Sequence, residues 1–268
     1  MIRFGVLGSL ELRSDGGVRS PKGPKARQVL ALLLLRVNEV VDVETLAEEL
    51  WDVNRSRGGV GAIRTHVYNL RSSLAADETT REAADMLMTE STGYVLRMEP
   101  ERLDATMFAE FVAEGRDLLN AGMPEKAAQV LREGLDMWRG RALANVSPGP
   151  VLSRHLTYLQ EIRYRAIELR LEADMLLGRH RELVAELRSL IAVCPLNEWY
   201  HTRLIEVLFR SGRRGEALMA FHDLRRVLDQ ELGLEPSADA RRLQQEILSS
   251  DTDRNPMEAR VPCFHAHS

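Results

Sequence analysis

Residues 63–72 read Ile63-Arg-Thr-His-Val-Tyr-Asn-Leu-Arg-Ser72, a run rich in side chains that hydrogen-bond rather than break bonds. An arginine fork at Arg64 or Arg71 can take two acceptors of guanine or grip a phosphate. The Asn69 amide can pair with adenine, and Thr65 or Tyr68 can meet a phosphate or a thymine methyl. His66 in the same run is expected to pack against a hairpin or bond a phosphate. Upstream, Lys22, Lys25, Arg27 and Gln28 fall just before or within the first turns of a helix, whose free N–H groups also attract phosphate. The chemistry on offer is recognition of a polyanion with readable edges, which means duplex DNA.

Other chemistries lack their residues. The sequence shows no nucleophile–base arrangement and no GxxxxGK[ST] phosphate loop, and Gly58-Gly59-x-Gly61 reads as a pliable loop rather than a nucleotide cradle. Cys263-x-His265-x-His267 has metal-binding residue types, but one-residue spacing at a chain end offers no scaffold for a tetrahedral site. We expect no enzyme activity, no cofactor and no metal. Two cysteines, Cys194 and Cys263, fit a reducing compartment, and Cys194 reads as a small buried apolar group. The longest apolar run, Val29–Leu35, is far too short to span a bilayer. The expected location is the cytoplasm, away from membranes.

The net charge of −4 is the wrong sign for a DNA binder until its distribution is considered. Residues 19–28 hold Arg19, Lys22, Lys25 and Arg27 without an acid, and residues 53–76 hold Arg55, Arg57, Arg64 and Arg71 without one. A protein-interaction adaptor, in which only the second half acts, would have no reason to keep two such segments.

These residues need elements to position them. Alternation over residues 2–7 and 9–13 predicts two strands with Phe4, Val6, Leu10 and Leu12 on one face. Asp15-Gly16-Gly17 is a hairpin turn leading to a third strand near Val18. Gly23-Pro24 opens a helix over 24–36, and Asp42 caps a second one carrying Val43, Leu46, Ala47 and Leu50. Residues 52–59 have loop composition. Ile63, Val67, Leu70 and Leu74 then give a third helix over 60–75, with Arg64, Thr65, Tyr68, Asn69, Arg71 and Ser72 outward or sideways. After a polar stretch, Met86–Glu90 and Tyr94–Arg97 form a hairpin around Ser91-Thr92-Gly93. Three helices closed by a hairpin make a winged helix-turn-helix, with its wing near Thr92 and Tyr94.

From Leu103 the pattern is helix after helix. Gly122, Gly178 and Gly212 each mark a helix–helix turn. Each is followed at five residues by Ala127, Leu183 or Ala217, and at nine by Leu131, Leu187 or Phe221. The last two glycines are spaced as in tetratricopeptide repeats, while the first two are further apart, which places an insertion at the Gly/Pro loop 140–150. The expected architecture is mainly α. An α+β winged helix occupies residues 1–100, an all-α tetratricopeptide-like domain 101–250, and a disordered tail 251–268.

Together, Phe4-Gly-Val-Leu-Gly-Ser-Leu-Glu-Leu12, Gly23-Pro-Lys-Ala-Arg27, Leu46-Ala-Glu-Glu-Leu-Trp51, Ile63–Arg71, Thr92-Gly-Tyr-Val-Leu96, Leu103-Asp-Ala-Thr-Met-Phe108, Trp138-Arg-Gly-Arg-Ala-Leu143 and Leu232-Gly-Leu-Glu-Pro236 resemble the Streptomyces antibiotic regulatory protein family. The resemblance covers about residues 2–249. It implies an OmpR-like winged helix and a bacterial transcriptional activator domain. It also implies activation of an antibiotic cluster from direct repeats near the promoter, with homodimeric or tandem binding. Arg64, Thr65, Tyr68, Asn69 and Arg71 match the recognition-helix positions. Asp52, Asn54, Arg55 and Arg57 match the loop that touches RNA polymerase or its sigma factor, where Arg55-Ser-Arg-Gly-Gly replaces the proline-bearing loop of many relatives.

Overall fold

In the computed structural model, residues 1–51, 59–75, 78 and 80–250 are described. The loop with Asp52, Asn54, Arg55 and Arg57, and the tail with Cys263, His265 and His267, lie outside the described residues. The chain divides into two compact units, Met1–Ala173 and Asp174–Ser268. Helices dominate both, and the sheets are small and antiparallel.

The first unit opens with β1 (Arg3–Gly5), β2 (Glu11–Ser14) and β3 (Gly17–Arg19), paired in that order. Ser14 pairs with Gly17 across the Asp15-Gly16 turn. Phe4, Val6, Leu10 and Leu12 are buried, as the alternation requires. The strands are shorter than the alternation suggests because residues 6–8 take other partners. The N–H groups of Val6 and Leu7 donate to the Asp104 carboxylate at 2.8 and 3.2 Å. The Val6, Leu7 and Gly8 carbonyls accept from the N–H groups of Leu143, Arg139 and Ala144. Burial pushes the Asp104 carboxyl up, and those two N–H groups and the Arg139 guanidinium, 2.9 Å away, oppose the shift.

Next comes α1 (Pro24–Leu35), which starts at its proline and is buried at every position from Gln28 to Leu34. Such a helix is wrapped by other elements rather than laid on a surface. β4 (Val41–Asp42) leads into α2 (Val43–Leu50). Asp42 is the N-cap: its Oδ1 accepts the Thr45 N–H at 2.6 Å, which holds its carboxyl below the ordinary value. After α3 (Gly59–Ala75), the polar stretch contains a short helix, α4 (Arg81–Met86), that its composition did not announce. Thr80 anchors it by donating its hydroxyl to the Leu74 carbonyl at the end of α3. The wing follows as β5 (Leu87–Thr89) and β6 (Gly93–Leu96). β6 is central in the order β4-β6-β5, and all four of its residues are buried.

Helices α5 (Asp104–Asn120), α6 (Pro124–Asp136) and most of α7 (Pro150–Leu176) complete this unit. The change from α/β to all-helix at residue 100 is therefore a change of element type, and the compact unit runs past it. Trp138 packs edge-on to Phe108, with ring centroids 5.5 Å apart, and the Arg163 guanidinium lies over the Trp138 ring. Only part of the extra spacing between Gly122 and Gly178 is loop. The rest is α7 itself, with 27 residues against 13 in α9 (Glu198–Arg210).

The second unit holds α8 (His180–Val193), α9, α10 (Arg214–Leu232) and α11 (Ala238–Ser249). Gly178 and Gly212 have φ of 74° and 79°, the left-handed conformation expected at these turns. Leu183, Leu187, Ala217 and Phe221 are buried at the repeat positions. Cys194 is half-buried rather than buried.

His201, 4% exposed, donates from Nε2 to the Pro195 carbonyl at 2.9 Å. Burial lowers its pKa, against the opposing pull of the Pro195 carbonyl, Asp223 and Glu198, so the fold favours the neutral imidazole. Below about pH 6.5 the unfolded chain binds a proton that the folded chain resists, so acidification destabilises the fold. His66 and His155 are shifted in the same direction. We expect unfolding free energy to fall between about pH 7 and pH 5. His201→Gln, which keeps a donor for Pro195, should flatten that slope in denaturant titrations; an unchanged slope would assign it to other groups.

Candidate nucleic-acid interface

Helix α3 has two faces. Ile63, Val67, Leu70 and Leu74 are buried in the core shared with α1 and α2. Steps of four, three and four keep them on one side, which turns Arg64, Thr65, Tyr68, Asn69 and Ser72 outward. All five are exposed, and Tyr68, a large aromatic, is 69% exposed. Arg64 has no ion pair among the described residues. Thr65 donates its hydroxyl to the Gly61 carbonyl at 3.0 Å, and its oxygen can still accept a hydrogen bond. A single helix with such a face fits a major groove about 12 Å wide.

Three other residues of the expected site are placed differently. Arg71 is half-buried and its fork turns to the wing, with Nε and Nη2 donating to the Leu87 carbonyl at 3.0 and 2.7 Å. His66 packs against Trp51, ring centroids 6.1 Å apart, rather than against the hairpin. Burial, with a smaller contribution from Lys25, lowers its pKa, which disfavours the imidazolium. Tyr94 is 6% exposed and belongs to the core, because β6 is covered on both faces. Thr92, at the tip, is exposed.

The basic set before and within α1 is divided by the fold. Lys22 is exposed. Lys25 instead caps the C-terminus of α2 by donating Nζ to the Leu50 carbonyl. Arg27 donates Nε to the Asn145 carbonyl at 2.8 Å, and Gln28, 5% exposed, donates its amide to the Ser147 carbonyl at 2.6 Å. The loop before α7 is rich in carbonyls without ladder partners, and these donors satisfy them. The Gln28 side chain cannot reach a phosphate from there.

Sequence reasoning missed the residues that tie the helix-turn-helix to the helices after it. Glu49 on α2, 2% exposed, accepts the N–H of Gly149 at 2.6 Å, of Val151 at 3.0 Å and of Leu152 at 2.9 Å. A carboxylate thus sits on the N-terminus of α7, where the helix dipole favours it. Asn145 does similar work, accepting from Leu10 N–H and donating to its carbonyl. No spacing rule finds such pairs, since each partner is a backbone group about a hundred residues away. Among the described residues no cluster of metal-ligating side chains occurs, and no helix is long and apolar enough to cross a membrane.

Comparison with known proteins adds an independent line. The profile of the bacterial transcriptional activator domain matches residues 103–248, and that of the transcriptional regulatory protein C-terminal domain matches residues 19–96. The chain is 35% identical over 262 residues to the regulatory protein DnrI of Streptomyces peucetius, covering 96% of each. It is 36% identical to the regulatory protein AfsR of Streptomyces coelicolor, over 93% of this chain and 24% of that longer one. The solved structure of Mycobacterium tuberculosis EmbR, in complex with a low affinity phosphopeptide, superposes with a TM-score of 0.85 at 30% identity. That match covers 93% of this chain and 65% of that one. A winged helix followed by an activator domain, and a relative matched along nearly its whole length, lead to one conclusion: this chain belongs to the Streptomyces antibiotic regulatory protein family of bacterial transcriptional activators.

Proposed function

We propose that this activator binds a short direct repeat beside a promoter, as a homodimer or as tandem copies, and recruits RNA polymerase to a secondary-metabolite gene cluster in the cytoplasm. The observation that carries the reading is the exposed polar face of α3 set on a buried apolar one. With α3 in the major groove, Arg64 takes guanine and Asn69 takes adenine, while Thr65 and Tyr68 meet a thymine methyl and the phosphates. Lys22 adds a backbone contact, and Thr92 on the wing lies along the neighbouring groove. The segment with Asp52, Asn54, Arg55 and Arg57 is the candidate polymerase or sigma-factor contact, by family resemblance.

The test is selection of genomic fragments by the full chain at controlled salt. Enrichment of a direct repeat just upstream of promoters supports the reading, and retention without sequence preference counts against it. Arg64→Ala is expected to weaken specific binding by about 1–3 kcal/mol, with relaxed preference at one base pair. An equal loss on random DNA would make Arg64 a phosphate contact. Lys22→Ala should weaken all sequences alike and make the salt dependence shallower by about one charge.

A further inference from the structure

Arg71 lies on the helix that carries the proposed reading face, yet its Nε and Nη2 are turned onto the protein's own wing. The register of β5 and β6 explains what it meets. Arg97 N–H donates to the Met86 carbonyl, and Glu90 N–H to the Gly93 carbonyl. That parity makes Leu87–Leu96 and Thr89–Tyr94 the pairs that exchange no hydrogen bonds, so the Leu87 carbonyl points away from β6. β5 is the edge of its sheet, and such a carbonyl would have only water for a partner. Arg71 takes it with two N–H groups, and Nη2 also donates to Thr89 Oγ1 at 3.0 Å. The planar fork fixes direction as well as distance, which a lysine ammonium cannot do.

We infer that Arg71 is a positioning residue: it locks the wing to the recognition helix at a set angle, and it does not read DNA itself. The inference rests on the reading of α3 as the DNA-contacting helix. Its consequence is that recognition helix and wing meet DNA as one rigid reader. A one-ångström drift of the wing would detach Thr92 from its groove while leaving the face of α3 intact.

Salt dependence separates a strut from a contact. Residues 88–93 of the wing contain no Lys or Arg, so losing wing contacts removes hydrogen bonds to DNA without reducing the number of counterions released on binding. The experiment measures binding of the full chain to its selected site, for Arg71→Ala, Arg71→Lys and, as a reference, Arg64→Ala. Hydroxyl-radical footprints are recorded alongside. Both Arg71 variants are expected to lose about tenfold in affinity at an unchanged salt slope. Protection should disappear at the wing side of the site and persist in the major groove. Rescue by Arg71→Lys, or a slope shallower by about one in Arg71→Ala, would overturn the inference in favour of a direct phosphate contact. Wild-type affinity in both variants would overturn it too.

A measurement on the unaltered protein guards against variants that fold poorly. The Arg71 Nε–H resonance should be protected from solvent exchange in the free chain and stay in place on adding DNA, whereas that of Arg64 moves. Large movement of the Arg71 signal would sink the idea. If Arg64→Ala leaves specific binding intact, it is the reading of α3 that has failed, and not the strut.

Discussion

Glu49→Ala is expected to lower the unfolding free energy of the unit Met1–Ala173 by about 3–5 kcal/mol. Glu49 is almost wholly buried and receives three N–H groups from the start of α7. Hydrogen bonds to a charged acceptor contribute about 1.5–3 kcal/mol each when taken singly, though three on one carboxylate do not add. Truncation leaves the donors of Gly149, Val151 and Leu152 facing a cavity, and the positive end of α7 loses its counter-charge. Glu49→Gln keeps the shape but turns an NH2 group toward donors, so it should recover only part of the loss. The neighbouring Glu48 is the control. Its pair with Arg154 at 2.8 Å is solvent-exposed, and Glu48→Ala should cost under about 1 kcal/mol. Urea unfolding followed by tryptophan fluorescence in a Trp199→Phe background reports on Trp51 and Trp138, both in this unit. Equal effects of Glu48→Ala and Glu49→Ala would refute the assignment.

The second large effect belongs to Gly93→Ala. A Cβ there would lie 2.0 Å from the Val41 carbonyl oxygen and 2.7 Å from its carbon, and no backbone atom can give way so far. β4 and β6 would have to separate, since Gly93 is paired with Asp42 across that ladder. Asp42 also caps α2, so the disturbance passes from the wing to the helix-turn-helix. We expect a loss of about 3 kcal/mol, which corresponds to a fall in Tm of about 6–12 °C. Specific DNA binding should fall with it. Gly61→Ala sets the opposite sign, because its Cβ meets nothing within 4 Å and alanine favours a helix by about 1 kcal/mol over glycine. Calorimetry of the two variants tests the pair, and a Gly93→Ala protein as stable as the parent would show that the ladder can open at little cost.

Much of this protein is legible in its amino acids because local rules act within a few residues. The period of Ile63, Val67, Leu70 and Leu74 determined both the buried and the exposed face of α3. Asp42 announced the start of α2, and Asp15-Gly16 the first hairpin. The three spaced glycines marked the turns between helices where the backbone enters the left-handed region. Elements too short to carry a period escaped, as β4 did with two residues and α4 with six.

The fate of polar side chains was decided only in three dimensions. Lys25, Arg27, Gln28 and Arg71 have the right types to hold DNA, and Glu49 the type of a solvated surface acid. The fold turns all five onto backbone N–H and C=O groups, most of them far away in the chain. Backbone groups are the same in every residue and leave no trace in the sequence. Charge and spacing can therefore say that a side chain is able to bind a phosphate, but only packing determines whether an unpaired carbonyl reaches it first.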